Sequence, residues 1–206
     1  LSARAKNLHG AQITLKFPSV GATENILLAA VKATGDTVIT GAAREPEVIA
    51  LCEFLTACGA SIEGMGSPEL IIHGGGDLHG TRYTVPTDRI VAGTYLFGCI
   101  GCGGSVLLNQ APWSQMEAVT VAAERMGAQC TVSEEGLFVQ APVRPKSIGH
   151  LQTGPYPEFP TDLQSAAMAV LTMAEGISYI EENIFENRFR IAEPLNLMGA
   201  QIVLKD

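Results

Sequence analysis

The sequence predicts an α/β fold (α+β in its layering) in which a β-α-β-α-β-β unit of about 70 residues recurs around buried helices. A Gly-Ala pair ends a helical pattern three times, at Gly59, Gly127 and Gly199, which lie 68 and then 72 residues apart. Between these pairs, stretches with the 3.6-residue period of helices alternate with short stretches of strand pattern. The helical stretches are rich in Ala, Leu, Met and Cys, so at least one helix per unit is predicted to be buried nearly all round.

The first unit opens with a strand at residues 11–16, where polar and apolar residues alternate. A helix is expected at about 24–33, with Thr23 as its N-cap. A second helix is expected at about 46–58 because a proline stands at its first position, where the missing N–H costs nothing. The remaining predicted strands of this unit are 37–40, 60–63, 69–73 and 81–85.

The same order of elements recurs twice. A capping box formed by Ser114 and Glu117 is expected to start one helix of the second unit. The predicted elements of the second unit are helices at about 89–100 and 114–126 and strands at 105–109, 129–132 and 137–140. Those of the third are a helix at 162–174, a strand at 177–181, a helix ending at Met198 and a strand at 201–204.

Residues 154–166 are the stretch that points most directly to chemistry. Three prolines keep its first half extended. Thr161 and Gln164 then have the spacing of a capping box, which predicts a helix start with Asp162 in its first turn. Negative charge is favoured there by the helix dipole. Asp162 is therefore either a helix-start carboxylate alone or a carboxylate held on a rigid turn and directed at a ligand hydroxyl.

A second candidate is the turn formed by Ser19, Val20 and Gly21, which joins the first strand to the first helix. Small residues in such a turn leave backbone N–H groups free to bind phosphate. The glycine patterns of known nucleotide-binding loops are absent from the sequence. A purely structural turn and a phosphate site both fit this pattern.

Composition excludes several classes of function. With 47% hydrophobic and 17% charged residues the chain has the composition of a folded globular protein. A net charge of −8 argues against nucleic acid or an anionic membrane as the main partner. We expect no membrane span and no signal peptide, because no apolar run is long enough and the first residues lack the pattern.

Metal and redox chemistry are also not expected. Five cysteines, an odd number in mostly apolar helical context, predict reduced thiols in a cytosolic protein. Cys99 and Cys102 form a lone C-x-x-C without a second pair, and the histidines have no ligand spacing. No cofactor or metal is predicted.

Four segments together resemble the UDP-N-acetylglucosamine enolpyruvyl transferase family. They are residues 17–25, 43–47, 159–164 and 184–189, and their order and spacing match over essentially the whole chain. The resemblance implies a two-lobed fold, described as an inside-out α/β barrel, with three repeat units in each lobe. Since the family chain is about twice as long, residues 1–86 would be the last unit of one lobe and residues 87–206 the first two units of the other.

The resemblance also implies a reaction and its residues. The family moves the enolpyruvyl group of phosphoenolpyruvate to a sugar hydroxyl of UDP-N-acetylglucosamine, by addition and then elimination of phosphate, as the first committed step of peptidoglycan precursor synthesis. Asp162 stands at the position of the catalytic aspartate, and Arg188 at that of an arginine near the phosphoenolpyruvate carboxylate. Ile184 and the Ser19–Gly21 turn match positions that bind the sugar nucleotide. Arg188 could equally form an ion pair with Glu186 or Asp162.

The resemblance leaves two family elements without a counterpart, the Lys-Asn pair that binds phosphoenolpyruvate and the loop that donates a proton. We therefore expect the 206-residue chain alone to be inactive. The alternative is a non-catalytic module that keeps the fold and has either a nucleotide-sugar-binding or a structural role. The expected partners are the two substrates and either the remainder of the enzyme or another copy of the chain. A bacterial, cytoplasmic location is expected.

Overall fold

The chain divides into two compact units, one ending at Pro86 and the other beginning at Thr87. A computed structural model describes residue 2 and residues 4–205. Each unit has its own core of buried apolar side chains. Within the described residues no helix combines the length and the apolar character that a membrane span needs.

The first unit contains the β-α-β-α-β-β order of the predicted repeat. Its four-stranded sheet has the order β1-β2-β4-β3; β1 is parallel to β2, and β4 is antiparallel to both β2 and β3. The elements are β1 (Gln12–Thr14), α1 (Val20–Ala30), β2 (Asp36–Thr40), α2 (Pro46–Ala57), β3 (Ser61–Glu63) and β4 (Glu69–His73).

The second unit contains two further repeats, each represented in part. The first of them has α3 (Arg89–Cys102), β5 (Ser105–Asn109), α4 (Glu117–Arg125), β6 (Gln129–Ser133) and β7 (Gly136–Gln140). The second has β8 (His150–Gln152), α5 (Gln164–Leu171), β9 (Tyr179–Glu181) and α6 (Ala192–Leu197). Short 3₁₀ turns at Trp113–Gln115, Thr161–Leu163 and Arg188–Ile191 precede α4, α5 and α6.

Strand pairing matches each of the two later repeats to a different part of the first. The antiparallel order β5-β7-β6 reproduces β2-β4-β3 of the first unit. The parallel pair β8-β9 reproduces the pair β1-β2, with a helix between the strands in both. The repeat predicted from the sequence is thus present as overlapping parts of the same unit.

The three Gly-Ala pairs end their helices in the same way. Gly59, Gly127 and Gly199 have φ of 102°, 96° and 103°, a left-handed conformation that glycine adopts without steric cost. Each glycine N–H donates to the carbonyl three residues earlier, and the following alanine N–H donates to the carbonyl five residues earlier. This is the paired hydrogen bonding of a Schellman-type helix end.

Two predicted strands are wrong. Across the described part of the chain, neither residues 81–85 nor residues 201–204 form a strand. Tyr83 instead packs its ring on Phe54, with 5.6 Å between the ring centroids, and donates its hydroxyl to Glu53 at 3.1 Å. Ile202 exchanges two 2.8 Å hydrogen bonds with the side chain of Asn196. The backbone groups of Ile202 therefore bond to a side chain instead of a neighbouring strand, and Tyr83 is held through its own side chain.

Helix starts also differ from the prediction. α1 begins at Val20, earlier than expected, and its N-cap is Ser19, whose hydroxyl accepts from the Ala22 N–H at 3.3 Å. Thr23 lies inside the helix and is fully buried, with its hydroxyl accepting from the Ala43 N–H at 3.0 Å. The capping box predicted for Ser114 and Glu117 is wrong, since a 3₁₀ turn precedes α4 and no side-chain cap is found within the described residues.

Helix α5 has no exposed residue, as predicted for a helix buried nearly all round, whereas α3 exposes Val91 and Tyr95. The prediction is wrong for the first unit, because both of its helices have an exposed face.

Leu96, Phe97 and Ile100 of α3 are almost fully buried in the core that also contains Leu163. The two helices approach closely at Gly93, where an added methyl group would overlap Leu163 Cδ1. This approach fixes the 3₁₀ turn that carries Asp162.

Candidate functional site

Asp162 lies on a 3₁₀ turn whose two neighbours are buried. Thr161 and Leu163 are 8% and 0% exposed, whereas the Asp162 side chain is 58% exposed. The capping box predicted here is wrong, because the Thr161 hydroxyl donates to Glu182 Oε2 at 2.9 Å instead of capping the helix. The turn therefore presents a carboxylate to solvent from a buried support.

Arg188 is brought to the same place. Its Nη2 donates to Asp162 Oδ1 at 2.7 Å and to the Thr161 carbonyl at 3.3 Å. Its guanidinium carbon lies 5.4 Å from the centroid of the Phe185 ring, within the range of a cation–π contact. Of the two ion pairs considered from the sequence, the one with Asp162 forms in the structure.

Ile184 lies in the loop that follows β9, between this strand and Arg188. Its N–H donates to Glu182 Oε1 at 2.9 Å, and the N–H of Phe185 donates to the same oxygen at 3.1 Å. Sequence reasoning missed Glu182. The available signal was an acidic residue at the end of a strand pattern, two and three positions before the two amides that it accepts from.

The predicted phosphate turn belongs to the first compact unit, whereas Asp162, Ile184 and Arg188 belong to the second. Ser19 has an extended conformation with φ −78° and ψ 120°, and Val20 and Gly21 form the first turn of α1.

The first N–H groups of a helix have no carbonyl partner within the helix, so they can bind an anion. Here the Ser19 N–H donates to the Phe17 carbonyl at 2.7 Å and the Ala22 N–H to the Ser19 hydroxyl at 3.3 Å, so within the described residues the N–H groups of Val20 and Gly21 remain for an anion. A methyl group at Gly21 would meet nothing within 4 Å, so the turn is open.

All five cysteines are free thiols. Burial raises the pKa of Cys52 and of Cys130 to about 11, which makes both poor nucleophiles. Among the described residues no group of three or more His, Cys, Asp or Glu side chains is arranged to hold a metal ion.

Comparison with known proteins places the chain in a family. The family model described as EPSP synthase (3-phosphoshikimate 1-carboxyvinyltransferase) matches residues 1–206. A protein of Nitratidesulfovibrio vulgaris (strain DP4) named UDP-N-acetylglucosamine 1-carboxyvinyltransferase is 44% identical over 199 residues, which are 97% of this chain and 48% of that protein. A protein of the same name from Zymomonas mobilis is 46% identical over 198 residues, 96% of this chain and 46% of that protein.

Solved structures agree on the fold. The enolpyruvyl transferase NikO from Streptomyces tendae superposes with a TM-score of 0.83 at 22% identity, covering 98% of this chain and 51% of that one. EPSP synthase from Acinetobacter baumannii gives a TM-score of 0.65 at 24% identity, covering 94% of this chain and 46% of that one. At these identities the likeness concerns the fold alone.

The chain spans about half the length of the curated relatives it matches. Its repeated topology, its similarity to those relatives over nearly all of its own length and the match of the family model to every residue lead to the same assignment. The chain belongs to the EPSP synthase family of carboxyvinyl (enolpyruvyl) transferases.

Proposed function

We propose that this chain is part of an enzyme that transfers the enolpyruvyl group of phosphoenolpyruvate to a sugar hydroxyl of UDP-N-acetylglucosamine and releases phosphate. The observation that carries this proposal is the pairing of Asp162 with Arg188 on a rigid turn, in a chain 43–46% identical to relatives named for this activity. We place the reaction in the bacterial cytoplasm, as a step of peptidoglycan precursor synthesis.

Asp162 is proposed to accept the proton of the attacking sugar hydroxyl. A carboxylate that is fixed within hydrogen-bond reach of a hydroxyl can accept its proton in the transition state. As the hydroxyl oxygen forms its bond to C2 of phosphoenolpyruvate, its proton passes to the Asp162 carboxylate and C3 takes up a proton from the donor loop that the resemblance implies, which gives a tetrahedral adduct. The bond from C2 to the phosphate oxygen then breaks, phosphate leaves, and C3 gives up a proton, so that the C2=C3 double bond is restored on the sugar.

Arg188 is proposed to bind the carboxylate of phosphoenolpyruvate. Both of its described hydrogen bonds come from Nη2, whereas a guanidinium has five N–H donors in a planar fork. The fork suits a planar carboxylate in a two-point contact. Its contact with Asp162 would also keep the base and phosphoenolpyruvate in one arrangement.

The sugar nucleotide is proposed to bind through two backbone regions. The first turn of α1, with Ser19 as its N-cap, offers the N–H groups of Val20 and Gly21 and the positive end of a helix dipole to the diphosphate. The backbone at Ile184, in the loop that carries Arg188, is proposed to contact the nucleotide sugar. This proposal requires no cofactor.

The substitution Asp162→Asn tests the role of the base. It removes the charge and the proton acceptor but keeps the size and much of the hydrogen bonding of the side chain. In an active polypeptide that carries these residues, the maximal rate of phosphate release should fall by about 10² or more. Binding of UDP-N-acetylglucosamine should weaken by no more than about 1.5–3 kcal/mol, the contribution of a charged hydrogen bond.

Glu186→Gln is the matched control, because Glu186 is an exposed acid in the neighbouring loop without a proposed role. It should leave both the rate and the affinity unchanged. Loss of thermal stability in Asp162→Asn with an unchanged rate would show that Asp162 only supports the helix start. If the parent protein binds the nucleotide sugar but shows no turnover, the result would favour the binding module.

A further inference from the structure

The carboxylate of Glu182 connects the two segments that carry the proposed site. Its Oε2 accepts from the Thr161 hydroxyl at 2.9 Å, in the turn next to Asp162. Its Oε1 accepts from the N–H groups of Ile184 and Phe185 at 2.9 and 3.1 Å, in the loop that leads to Arg188. One side chain thus binds partners separated by more than twenty positions in the sequence.

The groups held by Glu182 are also those that support Arg188. Besides Asp162, Arg188 contacts the Thr161 carbonyl and the Phe185 ring. Glu182 accepts hydrogen bonds from the Thr161 hydroxyl and from the backbone N–H of Phe185. The guanidinium is therefore positioned by two contacts that depend on one carboxylate.

The position of Glu182 is itself fixed by the sheet. It directly follows β9, whose pairing with β8 ends at Gln152 opposite Glu181. The next residue, Asn183, donates its backbone N–H at 3.0 Å to the hydroxyl of Thr153, which is 1% exposed. A carboxylate on such a support can hold its partners with little entropic cost.

We propose that Glu182 is a positioning residue that sets the distance between the Asp162 carboxylate and the Arg188 guanidinium. This inference rests on the proposed function for its catalytic meaning, but the positioning itself is a property of this chain. Glu182 does not contact the reacting groups under this proposal. It acts through Thr161 and Phe185. The site requires the positions of the hydrogen bonds made by its side chain, and not its negative charge.

The experiment uses the 206-residue chain and compares Glu182→Ala with Glu182→Gln by NMR. The glutamine carbonyl can still accept from the Ile184 and Phe185 N–H groups, and its amide can donate to the Thr161 hydroxyl oxygen. Glu186→Ala is the matched control in the same loop. The readouts are hydrogen exchange of the Ile184 and Phe185 amides and the side-chain N–H signals of Arg188.

In Glu182→Ala the two amides should exchange roughly tenfold faster, and the Arg188 side-chain signals should broaden because the guanidinium is no longer held. Glu182→Gln should restore both, and Glu186→Ala should change neither. The proposal is overturned if Glu182→Ala keeps the Arg188 signals, or if Glu182→Gln disturbs them as strongly as alanine does.

Thr161→Val provides a second variant if Glu182→Ala does not fold. It removes only the contact with Oε2, so the Arg188 signals should broaden while the Ile184 and Phe185 amides keep their protection. Unaltered Arg188 signals in this variant would overturn the proposal. This comparison separates the effect of Glu182 on the turn that contains Thr161 from its effect on the loop that contains Ile184 and Phe185.

Titration with UDP-N-acetylglucosamine distinguishes the two proposals. If the unmodified chain does not bind it, the proposed function loses support, while the NMR results still decide the role of Glu182. If the chain binds it, Glu182→Ala should bind roughly tenfold more weakly and Glu182→Gln close to normally. Equal affinity in all three proteins would overturn the positioning role.

Discussion

At the scale of single residues, His73 lies between two carboxylates on the surface of the first sheet. Its Nδ1 is 2.9 Å from Asp36 Oδ1 and its Nε2 is 3.0 Å from Glu63 Oε1. These residues belong to β4, β2 and β3, so one imidazole joins three strands. Hydrogen bonds to Glu63 and to Asp36 raise the pKa of His73 above its ordinary value of 6.5.

An NMR titration of the His73 ring should therefore give a midpoint above 6.5. Since the folded-state pKa is raised, the stabilisation is fully present below the unfolded-state pKa and is lost as pH rises through the folded-state pKa. The double variant Asp36→Asn and Glu63→Gln should move the midpoint back towards the ordinary value. A midpoint that is the same in both proteins would contradict this explanation.

The candidate site shows which residue contacts a sequence can predict. The ion pair of Arg188 with Asp162 was among the predicted alternatives, since the two residues stand in segments that together match one family. The predicted role of the Thr161 hydroxyl is wrong. A capping box is a local pattern, whereas this hydroxyl donates to Glu182, which is distant in the sequence. No local pattern reports such a long-range acceptor.

At the scale of elements, the close approach of α3 and α5 depends on a residue without a side chain. Gly93→Ala places a methyl group against Leu163, which is fully buried and next to Asp162. We expect this variant to lose about 1–3 kcal/mol of unfolding free energy, the usual cost of overpacking. Denaturant unfolding of the 206-residue chain measures this loss.

Gly98→Ala is the matched control in the same helix. A methyl group there meets nothing within 4 Å, so the higher helix propensity of alanine should stabilise the protein by about 0.5–1 kcal/mol. Opposite signs for the two variants are the expected result. A loss of stability in both would mean that α3 does not tolerate alanine for a reason other than contact with Leu163.

The elements themselves were predictable where the signal was local. Helix ends at Gly59, Gly127 and Gly199 were predicted because a left-handed glycine and its hydrogen bonds form within one turn. The predicted strands at 81–85 and 201–204 are wrong. A strand forms only when a second strand pairs with it through backbone hydrogen bonds, and the alternating pattern of one segment does not show whether such a partner is present. Tyr83 and Ile202 instead bind side chains close by.

At the scale of the whole molecule, the residues proposed to bind substrate are divided between the two compact units. Ser19, Val20 and Gly21 belong to the first, and Asp162, Ile184 and Arg188 to the second. The division falls between Pro86 and Thr87. The assignment of the units to the last repeat of one lobe and the first two of another stays a prediction.

The resulting prediction is that the 206-residue chain alone does not release phosphate from phosphoenolpyruvate in the presence of UDP-N-acetylglucosamine. This prediction rests on the resemblance. Two elements of the family have no counterpart in this sequence: the Lys-Asn pair that binds phosphoenolpyruvate, and the loop that donates a proton. A positioned acid–base group contributes about 10²–10⁴ in rate, so loss of the proton donor with loss of substrate binding should remove measurable turnover. A full-length relative such as the Zymomonas mobilis protein, assayed in parallel, is the positive control. Turnover comparable to that of this control would contradict the prediction and would require that residues within the two units replace both elements.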